Sequence, residues 1–291
     1  MKKFGMGILS VSIIALAACG DDTPDENGAS EDLESNGGGT ISVGVANEEP
    51  YGYLDDGIAT GAAAEIARAV FQEMGYDDIE GNVVDFTALI PSLNAGQFDV
   101  VTAGMDIRPE RCSNASFGDI EIQYGEGMAV AAGNPHNLQS YEDLVENEDL
   151  TVSVMQAANQ IDMLTSLGMD SSRIQEANSI ADNFAALEAG DVDAVVATDA
   201  TINQAMNTAN SELVETPDSF NQPVIDGVEQ IAYGAAVFRD NDEGNALREE
   251  YNEALANLID SGAVLEILEE FGFTEDNLPP EDITTADRCE E

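Results

Sequence analysis

The chain has 291 residues, enough for two domains with cores of their own, and a formal charge of −49 from 58 acidic against 9 basic side chains. Nucleic acid and anionic membrane surfaces are polyanions, so that charge excludes them as partners, and a salt-rich medium that screens self-repulsion is its simplest setting. Hydrophobic residues, 43% of the chain and periodically arranged, exclude disorder for all but the ends.

The N-terminus reads as an address. Lys2-Lys3, an apolar run over 8–18 and then Leu16-Ala-Ala-Cys19-Gly20 give a basic region, a short apolar core and small residues before a cysteine. The run is too short for a membrane span of ~20 residues. This pattern resembles a bacterial lipoprotein signal, with 1–18 removed and Cys19 lipidated; an ordinary secretory signal is the alternative. The implied protein is exported, faces the periplasm or cell exterior, and touches the membrane only through its lipid. Residues 19–39 read as a flexible acidic tether, whose aspartates lack the ligand spacing of a calcium loop. Both lysines lie in the signal, so the mature chain would keep 7 arginines as its permanent cations.

With Cys19 assigned to lipid, Cys112 and Cys289 remain, an even pair in a compartment that permits oxidation. A bridge would staple the C-terminal tail to the loop of Arg111; two free thiols are the alternative.

From Thr40 the pattern alternates strand and helix. Ile41, Val43 and Val45 alternate as on a strand, and Asn47-Glu-Glu-Pro-Tyr-Gly-Tyr53 follows as a loop. A helix is predicted over 65–74, ended by Gly75, then a strand over 83–86, a helix over 88–95 stopped by Gly96, and a strand over 98–103 leading into a turn that presents Asp106 and Arg111. Such alternation implies a parallel sheet with helices on its faces. Strand 126–132 leads to the turn Gly133-Asn-Pro-His136, and Ser140-Tyr-Glu-Asp143 matches a capping box. Strand 150–154 enters a loop, 155–160, that opens the next helix, so its backbone N–H groups would face a ligand. Ala197-Thr-Asp-Ala-Thr-Ile202 is another strand end opening a helix. An apolar crossing at 229–238 precedes helices over 241–261 and 264–271.

An internal echo divides the chain. Leu93-Asn-Ala-Gly-Gln-Phe-Asp-Val-Val101 recurs as Leu187-Glu-Ala-Gly-Asp-Val-Asp-Ala-Val195, each copy a helix end, a glycine stop and a buried strand. A domain-sized separation argues for two similar α/β lobes rather than a solenoid. Two crossings imply one lobe from 40–126 and 232–291, a second from 127–231, and a ligand cleft between them.

At this point the sequence resembles a known family. Thr102-Ala-Gly-Met-Asp-Ile-Arg-Pro-Glu-Arg111 is similar to the loop of family 3 solute-binding proteins, the receptors of amino-acid-type ABC importers. Asn47 to Tyr53, Leu89-Ile-Pro-Ser-Leu-Asn-Ala-Gly96, Gly133-Asn-Pro135, Ser140-Tyr-Glu-Asp-Leu144, Pro223-Val-Ile-Asp-Gly227 and Phe271-Gly-Phe-Thr274 followed by Cys289 look like the ectoine/hydroxyectoine-binding branch. The resemblance implies a two-lobed periplasmic-binding-protein fold of type II, α/β, with two linking strands. It implies a monomer that hands a small zwitterion to ABC permease subunits, without a metal or cofactor.

The resemblance also assigns a site. Arg111 would grip the ligand carboxylate, for which a guanidinium fork is suited. Ectoine pairs its carboxylate with a delocalised amidinium, which aromatic faces hold well; Tyr51 and Phe86 fall at aromatic walls and Glu48 at an acidic partner. Asp106 departs from the pattern, standing where the ectoine branch has a third aromatic. It could pair with the amidinium or favour a primary ammonium. Asn159 takes a position often held by threonine, and Thr198 that of the ammonium-binding aspartate, which here comes one residue later as Asp199. One helical step rotates a side chain by about 100°, so Asp199 is expected to point elsewhere.

Other functional classes fit the sequence less well. Catalysis has few candidates: His136 is the sole histidine, and paired carboxylates suited to cleaving cell-wall glycan arise by chance among 58 acids. A sensory lipoprotein would share the fold. Within the receptor family, a polar amino acid is the alternative ligand.

Overall fold

Two β-sheets organise residues 38–290, which the computed structural model describes. The signal peptide, Cys19 and all but the end of the tether lie outside the described residues. In the first sheet the spatial order is Asp78–Val83, Thr40–Val45, Val100–Asp106, Ala232–Phe238 and Ser116–Phe117, with Ile122–Tyr124 also on Ala232–Phe238. In the second it is Ile174–Ala177, Val152–Met155, Ala194–Thr198, Glu126–Ala131 and Val214–Glu215.

Neither sheet is purely parallel, which corrects the sequence expectation. Each has three parallel strands, and beside the third runs an antiparallel one, Ala232–Phe238 in the first and Glu126–Ala131 in the second. These two are the strands that arrive from the other lobe. A chain crossing the cleft enters each sheet from its ligand end, so it must run against the parallel strands.

The echo occupies equivalent places. Gly96 and Gly190 end their helices at φ 72 and 73, a left-handed conformation that glycine adopts without a side-chain clash. Three residues on, Asp99 donates its N–H to the Ser42 carbonyl (2.8 Å) and accepts the Ser42 N–H on its carboxylate (3.2 Å). Asp193 makes the same pair with Thr151, at 2.9 and 2.8 Å. Even the basic side chains correspond: Arg239 stands 3.5 Å from Asp99, and His136 3.6 Å from Asp193.

Two strands lie elsewhere than expected, and one hairpin is added. The predicted strand at 83–86 is instead Asp78–Val83, an edge strand with only Ile79 buried, fixed by a six-residue register with Thr40–Val45 rather than by an apolar run. The strand predicted over 98–103 continues to Asp106, all seven residues from Val100 buried, so Ala103–Asp106 is strand and not turn. The hairpin Tyr53–Asp55 with Ile58–Thr60 was not anticipated; Asp56 and Gly57, at φ 48 and 84, make its tight turn.

Helices cover the faces for local reasons. Asp242–Ser261 starts where Asn241 accepts the Gly244 N–H on its side chain and stops at Gly262, φ 84. Its inner face buries Tyr251, Ala254 and Leu255 against Phe71 and Phe238. Each fully buried side chain of Leu or Phe size contributes about 1.5–3 kcal/mol of transfer free energy. Ser140 caps Tyr141–Glu146 by accepting the Asp143 N–H, one half of the expected capping box, whereas the Asp143 carboxylate accepts the Gln139 N–H rather than that of Ser140; Arg173 closes the other end on the carbonyls of Leu144, Val145 and Asn147. Among the described residues no helix is long and apolar enough to cross a membrane.

Candidate functional site

The ligand ends of the parallel strands in both sheets face one another. Val45 leads to the loop of Glu48 and Tyr51, Val100–Asp106 ends on Asp106, Val152–Met155 on Met155, and Ala194–Thr198 on Thr198. Carboxyl ends of parallel strands are where open α/β sheets bind ligands. A cavity lies there, with about 460 Å³ of atom-free space, its open mouth included. Its lining includes Glu48, Tyr51, Phe86, Asp106, Arg111, Asn159 and Thr198, so seven of the eight residues singled out in the sequence converge on it.

The loop that delivers Glu48 and Tyr51 is tied at both ends. Tyr51 and Gly52 donate N–H groups to the Glu48 carbonyl, and the helix Ala62–Glu73 starts by donating from Ala62 and Ala63 to the carbonyls of Pro50 and Tyr51. From this loop a directed chain of hydroxyls crosses the cleft. Tyr51 donates to Thr198 Oγ1 (2.9 Å), Thr198 to Thr201 Oγ1 (2.9 Å), and Thr201 back to Glu48 Oε1 (3.0 Å). Burial pushes the Glu48 carboxyl up to about 7, with the Thr201 hydroxyl opposing it.

Arg111 sits in the one-turn helix Pro109–Cys112, immediately beyond Asp106. Its Nη1 donates to the Asp106 carbonyl and its Nη2 to the Ala157 carbonyl, both at 2.9 Å, and its guanidinium carbon lies 5.4 Å from the centre of the Phe86 ring. Burial lowers its pKa, and the Asp106 carboxylate offsets part of that. Ala157 is itself held at φ 59, a conformation that costs a non-glycine residue about 1 kcal/mol or more.

Asp106 is buried and doubly held. Its Oδ1 accepts the Tyr233 N–H at 2.9 Å and its Oδ2 the Asn159 amide at 3.3 Å. Burial raises its pKa, against the pull of Arg111. Asp199 is the residue that does not join the cavity. At the first position of helix Asp199–Met206, its carboxylate accepts the Ala200 N–H and its own N–H donates to the Gly125 carbonyl.

Two lining residues with polar side chains, Tyr124 and Gln160, lie outside the set that the sequence points to. Tyr124 packs against Tyr51 with ring centres 5.1 Å apart and donates its hydroxyl to the Gly104 carbonyl. It gives the cavity a third aromatic although Asp106 stands where one was expected. Gln160 donates to Glu126 Oε2 at 2.6 Å. Glu126 opens the second sheet, also accepts from Tyr141, and is pushed up to about 8 by burial. Gln160 fell inside the loop flagged over 155–160; Tyr124 carried no signal beyond its place beside the first crossing.

Cys112 and Cys289 are joined, with Cα atoms 5.7 Å apart. Among the described residues no group of three or more His, Cys, Asp or Glu side chains could hold a metal ion.

Comparison with known proteins agrees with this geometry. The chain is 36% identical over 255 residues to a probable amino-acid ABC transporter periplasmic-binding protein of Sinorhizobium fredii, covering 86% of this chain and 83% of that one. It is 28% identical over 276 residues to the arginine-binding extracellular protein ArtP of Bacillus subtilis, covering 94% and 99%. Among solved structures, EhuB in complex with hydroxyectoine superposes with a TM-score of 0.76 at 28% identity, covering 86% and 94%. Residues 41–275 match the model of the bacterial extracellular solute-binding proteins, family 3, and the chain belongs to that family.

Proposed function

We propose that this protein is the extracytoplasmic receptor of an ABC importer and closes on a small zwitterionic compatible solute, ectoine or hydroxyectoine. The observation that carries the reading is the cavity's division of labour. Arg111 is the one arginine among the residues lining the cavity and offers its guanidinium to a carboxylate, while the rings of Tyr51, Phe86 and Tyr124, with the carboxyls of Glu48 and Asp106, offer faces and charge to a delocalised cation. Similarity to the hydroxyectoine complex supports the same reading. Thr198, Asn159 and Asp106 complete the proposed contacts, and Asp199 acts behind them at the crossing. Cys19 would anchor the mature receptor to the outer face of the membrane, and the second lobe would comprise 127–231.

A polar amino acid is the second reading. Two carboxyls lining the cavity, Glu48 and Asp106, stand against one arginine, which suits a ligand with more than one cationic group, and the Bacillus relative is named for binding arginine. Calorimetric titration with ectoine, hydroxyectoine, glycine betaine, arginine and glutamine decides between them. Binding confined to amino acids would overturn the compatible-solute reading.

A further inference from the structure

The short helix Thr285–Glu290 lies outside the cavity, yet it is linked to two charged residues that line it, Arg111 and Asp106. Cys289 is bonded to Cys112, the residue after Arg111, so the helix is covalently tied to the turn that carries the guanidinium. One position earlier, the guanidinium carbon of Arg288 lies 5.1 Å from the centre of the Tyr233 ring. Tyr233 holds Asp106 through its N–H and accepts the Ile107 N–H on its carbonyl, at 2.9 Å each. The charge of Arg288 also favours the ionised form of Asp106.

The helix is itself anchored. Thr284 and Asp287 cap its start reciprocally, Thr284 donating to the Asp287 carboxylate and accepting the Asp287 N–H. Thr285 donates its hydroxyl to the Gly118 carbonyl at 2.7 Å, and Ile283 and Cys289 pack on the cluster that contains Met105, Ile107 and Tyr233. The turn it grips needs such support. A four-residue helix cannot persist on its own hydrogen bonds, because nucleation costs more than one turn returns. Arg111 therefore keeps its direction only as well as the Pro109–Cys112 turn is held from outside.

We infer that Thr285–Glu290 is a positioning element of the solute site, fixing Arg111 through the Cys112–Cys289 bridge and Asp106 through Arg288 stacked on Tyr233. The inference rests on the cavity being the solute site. Arg288 and Cys289 are positioning residues, since neither lines the cavity. A bridge spanning 177 residues of sequence also stabilises the whole fold by restricting the unfolded chain, and the test has to separate that from a local effect.

The test compares the oxidised full chain with the same protein reduced by a phosphine, with thiols counted, and with Arg288→Ala and Arg288→Lys in the oxidised state. Two quantities are read well below every melting temperature: affinity for the tightest-binding solute of the titration panel, and amide hydrogen exchange by residue. Reduction and Arg288→Ala should each weaken binding by about tenfold, as expected for one misdirected charge-assisted hydrogen bond. Arg288→Lys, which keeps a cation over the ring, should restore most of it. Exchange at 106–112 and at Tyr233 should accelerate on reduction while 152–155 and 194–198 hold. Unchanged affinity with unchanged exchange at 106–112 overturns the inference, as does a uniform rise in exchange over both sheets. Should no solute in the panel bind the oxidised protein, the assignment of the cavity fails, and exchange at 106–112 and Tyr233 alone decides the positioning role.

Discussion

Arg111 donates from Nη2 to the carbonyl oxygen of Ala157, 2.9 Å away on the opposite wall of the cleft, while Nη1 holds the Asp106 carbonyl on its own wall. One side chain thus offers donors to both lobes and a charge to whatever lies between them. Arg111→Ala should abolish solute binding, a loss of about 3 kcal/mol or more, which is at least about a hundredfold in affinity. Far-UV circular dichroism should be unchanged. Arg111→Lys should recover little, because an ammonium cannot reach two carbonyls and a carboxylate in one plane. Retained affinity in Arg111→Ala, read by calorimetry, would refute the assigned role.

The hydroxyl chain from Tyr51 through Thr198 and Thr201 to Glu48 joins the two lobes with every donor directed one way. Tyr51→Phe removes its first link and leaves the ring against Tyr124 and Phe273, 5.1 and 5.6 Å away. The expected cost is about 1 kcal/mol, felt as a roughly fivefold weaker affinity. Tyr51→Ala also loses the wall, so a Phe variant as weak as the Ala variant would show that the hydroxyl, not the ring, carries the contact.

Burial raises three carboxyls from the ordinary value of 4.5, Glu48 to about 7 and Glu121 and Glu126 to about 8. The folded chain then holds more protons than the unfolded chain between these values, so this contribution to stability is complete below about 4.5 and is lost as pH rises to about 8. Melting temperature at fixed ionic strength should fall from pH 5 to pH 8. Glu121, which does not line the cavity, accepts the Tyr251 hydroxyl, a bond glutamine can keep. Glu121→Gln should melt higher than the parent at pH 8, by roughly 2–4 °C per kcal/mol recovered, and not at pH 5. Parallel pH curves for the two proteins would sink this account.

Gly104 lies in the strand Val100–Asp106 at φ 58, and a Cβ there would stand 2.6 Å from Cδ1 of Tyr51. Gly104→Ala should cost about 1–3 kcal/mol through backbone strain and should push the Tyr51 ring into the cavity. Differential scanning calorimetry and solute titration should both register the change. A variant with parental stability and affinity would mean that the strand relaxes around the methyl group.

Much of this arrangement was legible in the sequence, for reasons that differ by residue. Arg111 stood out because cations are scarce in this chain, and the Asp99 and Asp193 echo because a glycine stop before a buried strand leaves a repeated pattern. Tyr124 was not legible: one tyrosine before a glycine has no periodicity, and only the fold turns its ring toward Tyr51. The direction of Ala232–Phe238 was hidden for a similar reason, since an apolar run carries no record of which way its neighbour points. The edge strand Asp78–Val83 was missed because backbone register, not side-chain burial, holds it.

The paired aspartates carry a mechanical consequence. Among the described residues Asp99 ties to Ser42 and Arg239, and Asp193 to Thr151 and His136, each within a single sheet and its flanking turns. Swinging the halves apart therefore strains neither tie. The work of gating falls on the polar contacts between them, Tyr51 with Thr198, Glu48 with Thr201, Asp106 with Asn159, Glu49 with Gln204, Arg111 with Ala157 and Arg108 with Asp162. Two stiff plates joined by a few polar rivets can release cargo without softening either plate.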